Sequence, residues 1–84
     1  SKIHFHEDFT IQYCVNKKCN TNIRIYDASG RLVRLLVDKR QLPGVYSIKW
    51  DGCDTNGTDV PNGVYFYKIE GDRYTKIKKV VKIY

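Results

Sequence analysis

Apolar and polar residues alternate with a period of two through most of this chain. The plainest run is Phe9-Thr10-Ile11-Gln12-Tyr13-Cys14-Val15, with Phe9, Ile11, Tyr13 and Val15 on one side. Successive side chains of a β-strand point to opposite faces, so this period predicts a half-buried strand. Ile3-His4-Phe5-His6 alternates in the same way and predicts a short edge strand, interrupted at Glu7-Asp8. Asn16-Lys17-Lys18 reads as a turn, and Asn20-Thr21-Asn22 prolongs the polar break before the strand Ile23-Arg24-Ile25-Tyr26. Asp27-Ala28-Ser29-Gly30 is a further turn, with glycine where a positive φ is wanted.

Arg31-Leu32-Val33-Arg34-Leu35-Leu36-Val37 fits two patterns. Leu32, Leu35 and Leu36 have helical spacing, while Val33, Leu35 and Val37 fit a strand. The short length, the glycine before it and the proline after it favour a strand. Residues 38–41 read as a charged loop, and Leu42-Pro43-Gly44 as a turn.

Residues 45–69 form the stretch around which the rest is arranged. Two aromatic, alternating runs flank a loop crowded with Gly, Asp and Asn. Tyr46, Ile48 and Trp50 are expected to face inward on the first run, and Gly63 launches the second. Gly44-Val45-Tyr46 and Gly63-Val64-Tyr65 echo each other, as two strands entering in the same way. Gly71-Asp72 signals a hairpin turn into a last strand. There, Ile77, Val81 and Ile83 share one face, Lys76, Lys78 and Lys82 the other, and Lys79 falls on the apolar face. An inward charge of that kind protects an edge strand from edge-to-edge pairing. Strands recurring every 8 to 12 residues or so, without a convincing helix, predict an all-β sandwich or barrel. The expectation is one domain over residues 1–84, an immunoglobulin-like (fibronectin III-like) β-sandwich of about seven antiparallel strands.

Composition sharpens this picture. A chain of 84 residues buries only roughly 60 to 65% of its unfolded surface, so each aromatic matters. Aromatics make up 13%, including seven Tyr and one Trp. Such side chains cover apolar neighbours while keeping a polar tip near water. The chain has no Met, and it reads as a piece of something longer. The formal charge of +6 favours acidic partners in general, although basic residues spread over strands first of all form a solvated face. No apolar run approaches the roughly 20 residues of a membrane span.

Candidate chemistry is sparse. The three cysteines, Cys14, Cys19 and Cys53, are too few and too poorly spaced for zinc. Cys14 and Cys19 either bridge a tight turn in an oxidising compartment or stay reduced. Asp51, Asp54, Asn56 and Asp59 suggest a calcium loop. With Gly57 at the sixth position of an EF-hand, however, Gly52 and Gly63 would occupy ligand positions without side-chain oxygens. Turn capping is the simpler reading. His4 and His6 share a strand face with no third ligand in sight. No nucleophile–base or paired-carboxylate arrangement stands out, so no catalysis and no cofactor are expected. Lys76, Lys78, Lys79 and Lys82 with Tyr74 and Tyr84 fall short of a nucleic-acid face, because the aromatics are needed for the core.

Residues 23–34, Ile-Arg-Ile-Tyr-Asp-Ala-Ser-Gly-Arg-Leu-Val-Arg, resemble the strand-turn-strand of the immunoglobulin-like domain first known from the flagellar hook-capping protein. Trp50-Asp51-Gly52, Asp54, Gly57, Val60 and Gly63-Val64-Tyr65-Phe66-Tyr67 match the same family's loop and following strand. The pattern is also similar to C-terminal sorting domains of type IX secretion cargo in bacteria with an outer membrane. There, a lysine-bearing final strand closes the chain, as Lys76, Lys78, Lys79, Lys82 and Tyr84 do here. The longer Trp50-Asp51-Gly52 loop is closer to the hook-capping form. The resemblance implies a C-terminal, non-catalytic sorting module that targets an attached passenger protein to the cell surface by way of the periplasm. Its partners would be secretion machinery and the passenger, with anionic surface polysaccharide as a further candidate. The alternative is an accessory structural or interaction domain of an extracellular enzyme, surface layer or filament. A carbohydrate-binding module would need an exposed aromatic row, against which an inward Trp50 argues.

Overall fold

The alternating runs form seven strands in the computed structural model, which describes residues 3–5 and 8–83, with side chains for Phe5 and residues 8–83. They are β1 (Ile3–Phe5), β2 (Phe9–Val15), β3 (Cys19–Asp27), β4 (Leu32–Gln41), β5 (Gly44–Trp50), β6 (Gly63–Gly71) and β7 (Tyr74–Lys82). One sheet has the order β1-β7-β6-β3-β4, and the other is the pair β2-β5. The expected all-β sandwich is therefore present. Every pairing is antiparallel except β1 with β7, which is parallel. A parallel neighbour needs a long crossover, and the whole intervening chain supplies it.

The two sheets enclose Ile11, Tyr13, Ile23, Ile25, Tyr65, Tyr67, Ile69 and Val80, with Trp50 at the end of β5. Trp50 is 0% exposed. Its ring lies 5.3 Å from Phe5 and 5.5 Å from Tyr65, centroid to centroid. Tyr46, Ile48 and Trp50 alternate inward along β5, as the sequence predicts.

Two strands run further than hydrophobicity suggests. β3 starts at Cys19 and takes in Asn20-Thr21-Asn22, and β4 continues through residues 38–41 to pair with it. Backbone pairing is indifferent to side-chain polarity, so polar strand ends escape a hydrophobic reading. The polar residues that do turn inward are Thr21 and Gln41, and Gln41 Oε1 accepts the Tyr13 hydroxyl at 3.0 Å.

The ambiguity of residues 31–37 has a physical origin. The β3–β4 register passes from Ile23↔Val37 to Arg24↔Leu35 and from Ile25↔Arg34 to Tyr26↔Leu32. Leu36 and Val33 are thus extra residues on β4, and each bulge advances the side-chain phase by one. Two such shifts within one short run turn Val33, Leu36 and Val37 toward the core, a helix-like spacing on a strand, and leave Leu32 and Leu35 exposed, so the expected strand face is broken at Leu35.

The last strand is in the opposite phase to the one expected. Val80 and Lys82 are buried, whereas Ile77 is 60% exposed. Pairing with β6 sets this phase: Tyr65 lies opposite Val80, Tyr67 opposite Lys78 and Ile69 opposite Lys76. Counting apolar residues misleads here because the inner face of β7 includes a lysine with its own partners. Nor is β7 an outermost strand throughout, since β1 covers it at Val80, Val81 and Lys82. Lys79 pairs across from Phe66 on the outer face, so it is not an inward-pointing edge charge.

The β6–β7 turn falls at Asp72-Arg73, one residue later than expected, with Gly71 paired to Tyr74. Arg73 has φ 57°. A side chain in this left-handed region costs roughly 1–2 kcal/mol, part of which glycine returns as chain entropy. Arg73→Gly is expected to stabilise the domain by about 0.5 kcal/mol, a rise in Tm of roughly 2–4 °C. An unchanged or lower melting temperature would count against strain at this turn.

Candidate recognition surface

The loop between β5 and β6 is built from the same turn as the β3–β4 connection. Asp27-Ala28-Ser29-Gly30-Arg31 and Asp54-Thr55-Asn56-Gly57-Thr58 share the pattern Asp-x-x-Gly-x. In the first, Oδ1 of Asp27 accepts the N–H of Ser29 and of Arg31, both at 2.9 Å. In the second, Oδ1 of Asp54 accepts the N–H of Asn56 at 2.9 Å and of Thr58 at 3.0 Å. The glycine N–H returns to the aspartate carbonyl at 3.0 Å in each. Gly30 and Gly57 have φ of 87° and 80°, which glycine alone adopts without strain. Of the carboxylates that suggested calcium, Asp54 thus caps this turn and Asp51 accepts the Cys53 N–H at 3.0 Å, while Asp59 is bound elsewhere.

Hydrogen bonds from Ser29 and then from the Arg31 backbone hold the Asp27 carboxyl below its usual pKa. A carboxylate with a depressed folded value contributes stability that is complete above the unfolded value. That contribution is lost as pH falls through the folded value. The urea midpoint of the wild type should therefore drop more steeply between about pH 4 and pH 2 than that of Asp27→Asn. Parallel pH profiles for the two proteins would contradict this.

The loop is stapled down by Arg34 and Trp50. Nη1 of Arg34 donates to Asp51 Oδ1 at 3.0 Å and to the Cys53 carbonyl at 3.2 Å. Nε1 of Trp50 donates to that same carbonyl at 2.9 Å. The Cys53 N–H, foremost, and then Arg34 lower the Asp51 pKa. Gly52 is buried beneath, and its carbonyl accepts the Val60 N–H at 2.9 Å. Nothing in the sequence marked Arg34 for this role.

The echo between Gly44-Val45-Tyr46 and Gly63-Val64-Tyr65 also has a structural counterpart. Tyr46 donates its hydroxyl to the Leu42 carbonyl, and Tyr65 donates to the Pro61 carbonyl, each at 2.6 Å and four residues back. Burial keeps the Tyr65 and Tyr67 phenols above their ordinary pKa.

The lysines of the last strand separate into two kinds. Lys76, Lys78 and Lys79 are half-buried, and among the described residues their ammonium groups meet no acceptor. Lys82 is 2% exposed. Its Nζ donates to Asp59 Oδ1 at 2.5 Å and to the Val60 carbonyl at 2.8 Å, with the Gly52 carbonyl at 3.4 Å. Lys82 is therefore a structural lysine and is withdrawn from any recognition surface. Its partner Asp59 was anonymous among the loop acids, because their separation of 23 residues hides the pairing. Tyr84, His6 and the side chain of His4 lie outside the described residues.

All three cysteines are free thiols, so the candidate Cys14–Cys19 bridge is not formed. Cys14 is exposed on β2, while Cys19 is partly buried on β3 in the other sheet. A cleft of about 380 Å³ between the two aspartate turns touches Asp27, Asp54 and Tyr65. Among the described residues, no group of three or more His, Cys, Asp or Glu could hold a metal ion.

With this geometry the chain can be set beside known proteins. It matches the FlgD Ig-like domain family over residues 4–74. The basal-body rod modification protein FlgD of Salmonella typhimurium is 49% identical over 41 residues, which are 49% of this chain and 18% of that protein. The chain thus spans less than a fifth of that relative. FlgD from Xanthomonas campestris superposes with a TM-score of 0.68 at 25% identity, over 89% of this chain and 55% of that one. Its structure is described in terms of hook capping essential for flagellar assembly. Dimeric latent PorU from Porphyromonas gingivalis gives a TM-score of 0.72 at 23% identity, a likeness of fold covering 94% of this chain and 8% of that protein. The chain belongs to the FlgD Ig-like domain family.

Proposed function

We propose that this domain is a non-catalytic sorting module that directs an attached passenger protein through type IX secretion to the bacterial cell surface. The observation that carries this reading is the presentation of the last strand. Lys76, Lys78 and Lys79 stand partly exposed on β7, above the segment that β1 covers. The likeness of fold to part of PorU supports the same reading. The partners would be proteins of the secretion machinery, which would meet a basic strand and its rim. Anionic surface polysaccharide is a second candidate for the same charges.

A second reading has its own support. The family match and the identity with a flagellar FlgD favour an accessory structural or interaction domain of an extracellular assembly. A carbohydrate-binding role finds no support in Trp50, which has no exposed face for a sugar to stack on.

The test is a reporter fused to residues 1–84 in a bacterium with a type IX system. Deleting the last strand would remove Val80 and Lys82 and unfold the domain, so Lys76, Lys78 and Lys79 are instead changed together to Glu. Surface display of the wild-type fusion and periplasmic retention of the variant are expected. Periplasmic retention of the wild-type fusion removes the sorting reading and leaves the accessory domain. Equal display of both removes the lysines as the address.

A further inference from the structure

One long side of the sandwich is open. β2 pairs only with β5, and among the described residues its other edge has no partner. Across from it, β7 is covered by β1 at residues 80–82, and among the described residues it has no partner on that side over residues 74–79. Between the two strands lies a groove of about 620 Å³, walled by Tyr13 and Cys14 of β2 and by Tyr74 and Lys76 of β7.

The free edges are not alike. β4, at the far side of the larger sheet, carries Asp38, Lys39 and Arg40 and two bulges, which blunt an edge against pairing. β7 carries lysines. β2 has seven residues and contains neither a proline nor a charged side chain. Its row of N–H and C=O groups is thus a template for another strand, without the usual protections. The groove beside it is cationic, with Lys17, Arg73 and Lys76 against the single carboxylate of Asp72. A second copy of this +6 chain would be repelled there, whereas an acidic strand would be drawn in.

We propose that the β2 edge receives an extended, acidic segment of a partner protein as an added strand, with Lys17, Arg73 and Lys76 lining its path. The inference rests on reading the domain as one that a partner protein binds, and it is independent of the export route. Backbone pairing would supply the affinity and the cationic groove the preference for acidic side chains.

The probe is a short peptide of alternating Glu and Val, titrated into the isotope-labelled domain and followed by NMR. Shift changes are expected along β2 and at Tyr74 and Lys76, with slowed amide exchange on β2. Alkylation of Cys14 should slow while that of Cys53 does not. Lys17→Glu combined with Arg73→Glu, checked by thermal melting to be folded, should weaken binding roughly ten-fold or more. A peptide N-methylated at alternate residues, or one with Lys in place of Glu, should bind at least as poorly. Absence of binding, undiminished binding of the N-methylated peptide, or shifts confined to the outer face of the larger sheet would each overturn the proposal. Self-association through β2 without peptide would overturn it as well. A domain that binds the peptide but is not exported loses only the sorting reading. One that is exported but does not bind the peptide loses only this one.

Discussion

Trp50→Ala is expected to destabilise the domain by about 3–5 kcal/mol. The indole is the largest fully buried side chain, and it closes the end of the core where Phe5 and Tyr65 meet. A chain of this length has a total stability of roughly 4–13 kcal/mol, so the loss is about a quarter of the total or more. The effect should exceed that of a simple cavity, because the Nε1 bond to the Cys53 carbonyl is broken too. Arg34 still donates to that carbonyl, so Trp50→Phe should cost less, about 1–2 kcal/mol. Urea unfolding followed by far-UV circular dichroism measures both. A loss below about 1.5 kcal/mol for the alanine variant would show that the loop, rather than the indole, closes the core.

The second large effect is an asymmetry across the Lys82–Asp59 pair. The ammonium is buried, while the Asp59 side chain is 61% exposed. Asp59→Ala leaves a buried charge facing only carbonyl groups, and is expected to cost about 2–4 kcal/mol. This is near the lower end for a buried pair, because water reaches the place that the carboxylate leaves. Lys82→Met removes the charge and returns Asp59 to water, leaving an apolar chain of similar volume. Its cost should stay below about 1.5 kcal/mol, and adding it to Asp59→Ala should recover most of the loss. Equal costs for the two single variants, or additive costs in the double, would count against the buried ammonium as the source. The same comparison warns that an export defect of a Lys82 variant can report on folding alone.

Much of this fold was legible in the alternation of side chains. Phe9, Ile11, Tyr13 and Val15 form one face of β2, and Tyr46, Ile48 and Trp50 one face of β5, as the period of two requires. The Asp-x-x-Gly-x turns were legible too, since aspartate and glycine have local reasons to be there. What was hidden depends on neighbours. The bulges on β4 need the register with β3, and the phase of β7 needs the register with β6. Lys82 looked like a surface lysine because its acceptors come from a loop more than 20 residues away. The groove beside β2 was hidden for the same reason. Lys17 follows β2 while Arg73 and Lys76 belong to the β6–β7 hairpin, and only the order of strands brings the two segments together.

The parallel pairing of β1 with β7 bears on how the domain carries load. Ile3 lies beside Val80 and Phe5 beside Lys82, and the Ile83 N–H donates to the Phe5 carbonyl at 2.9 Å. A pull at Ile3 against a pull at Ile83 draws the two strands along each other in opposite directions. Their hydrogen bonds are then sheared together instead of being unzipped one at a time. Resistance to force is set by the unfolding barrier and not by equilibrium stability. This patch of three residue pairs thus forms a latch placed where traction on the chain would first be felt.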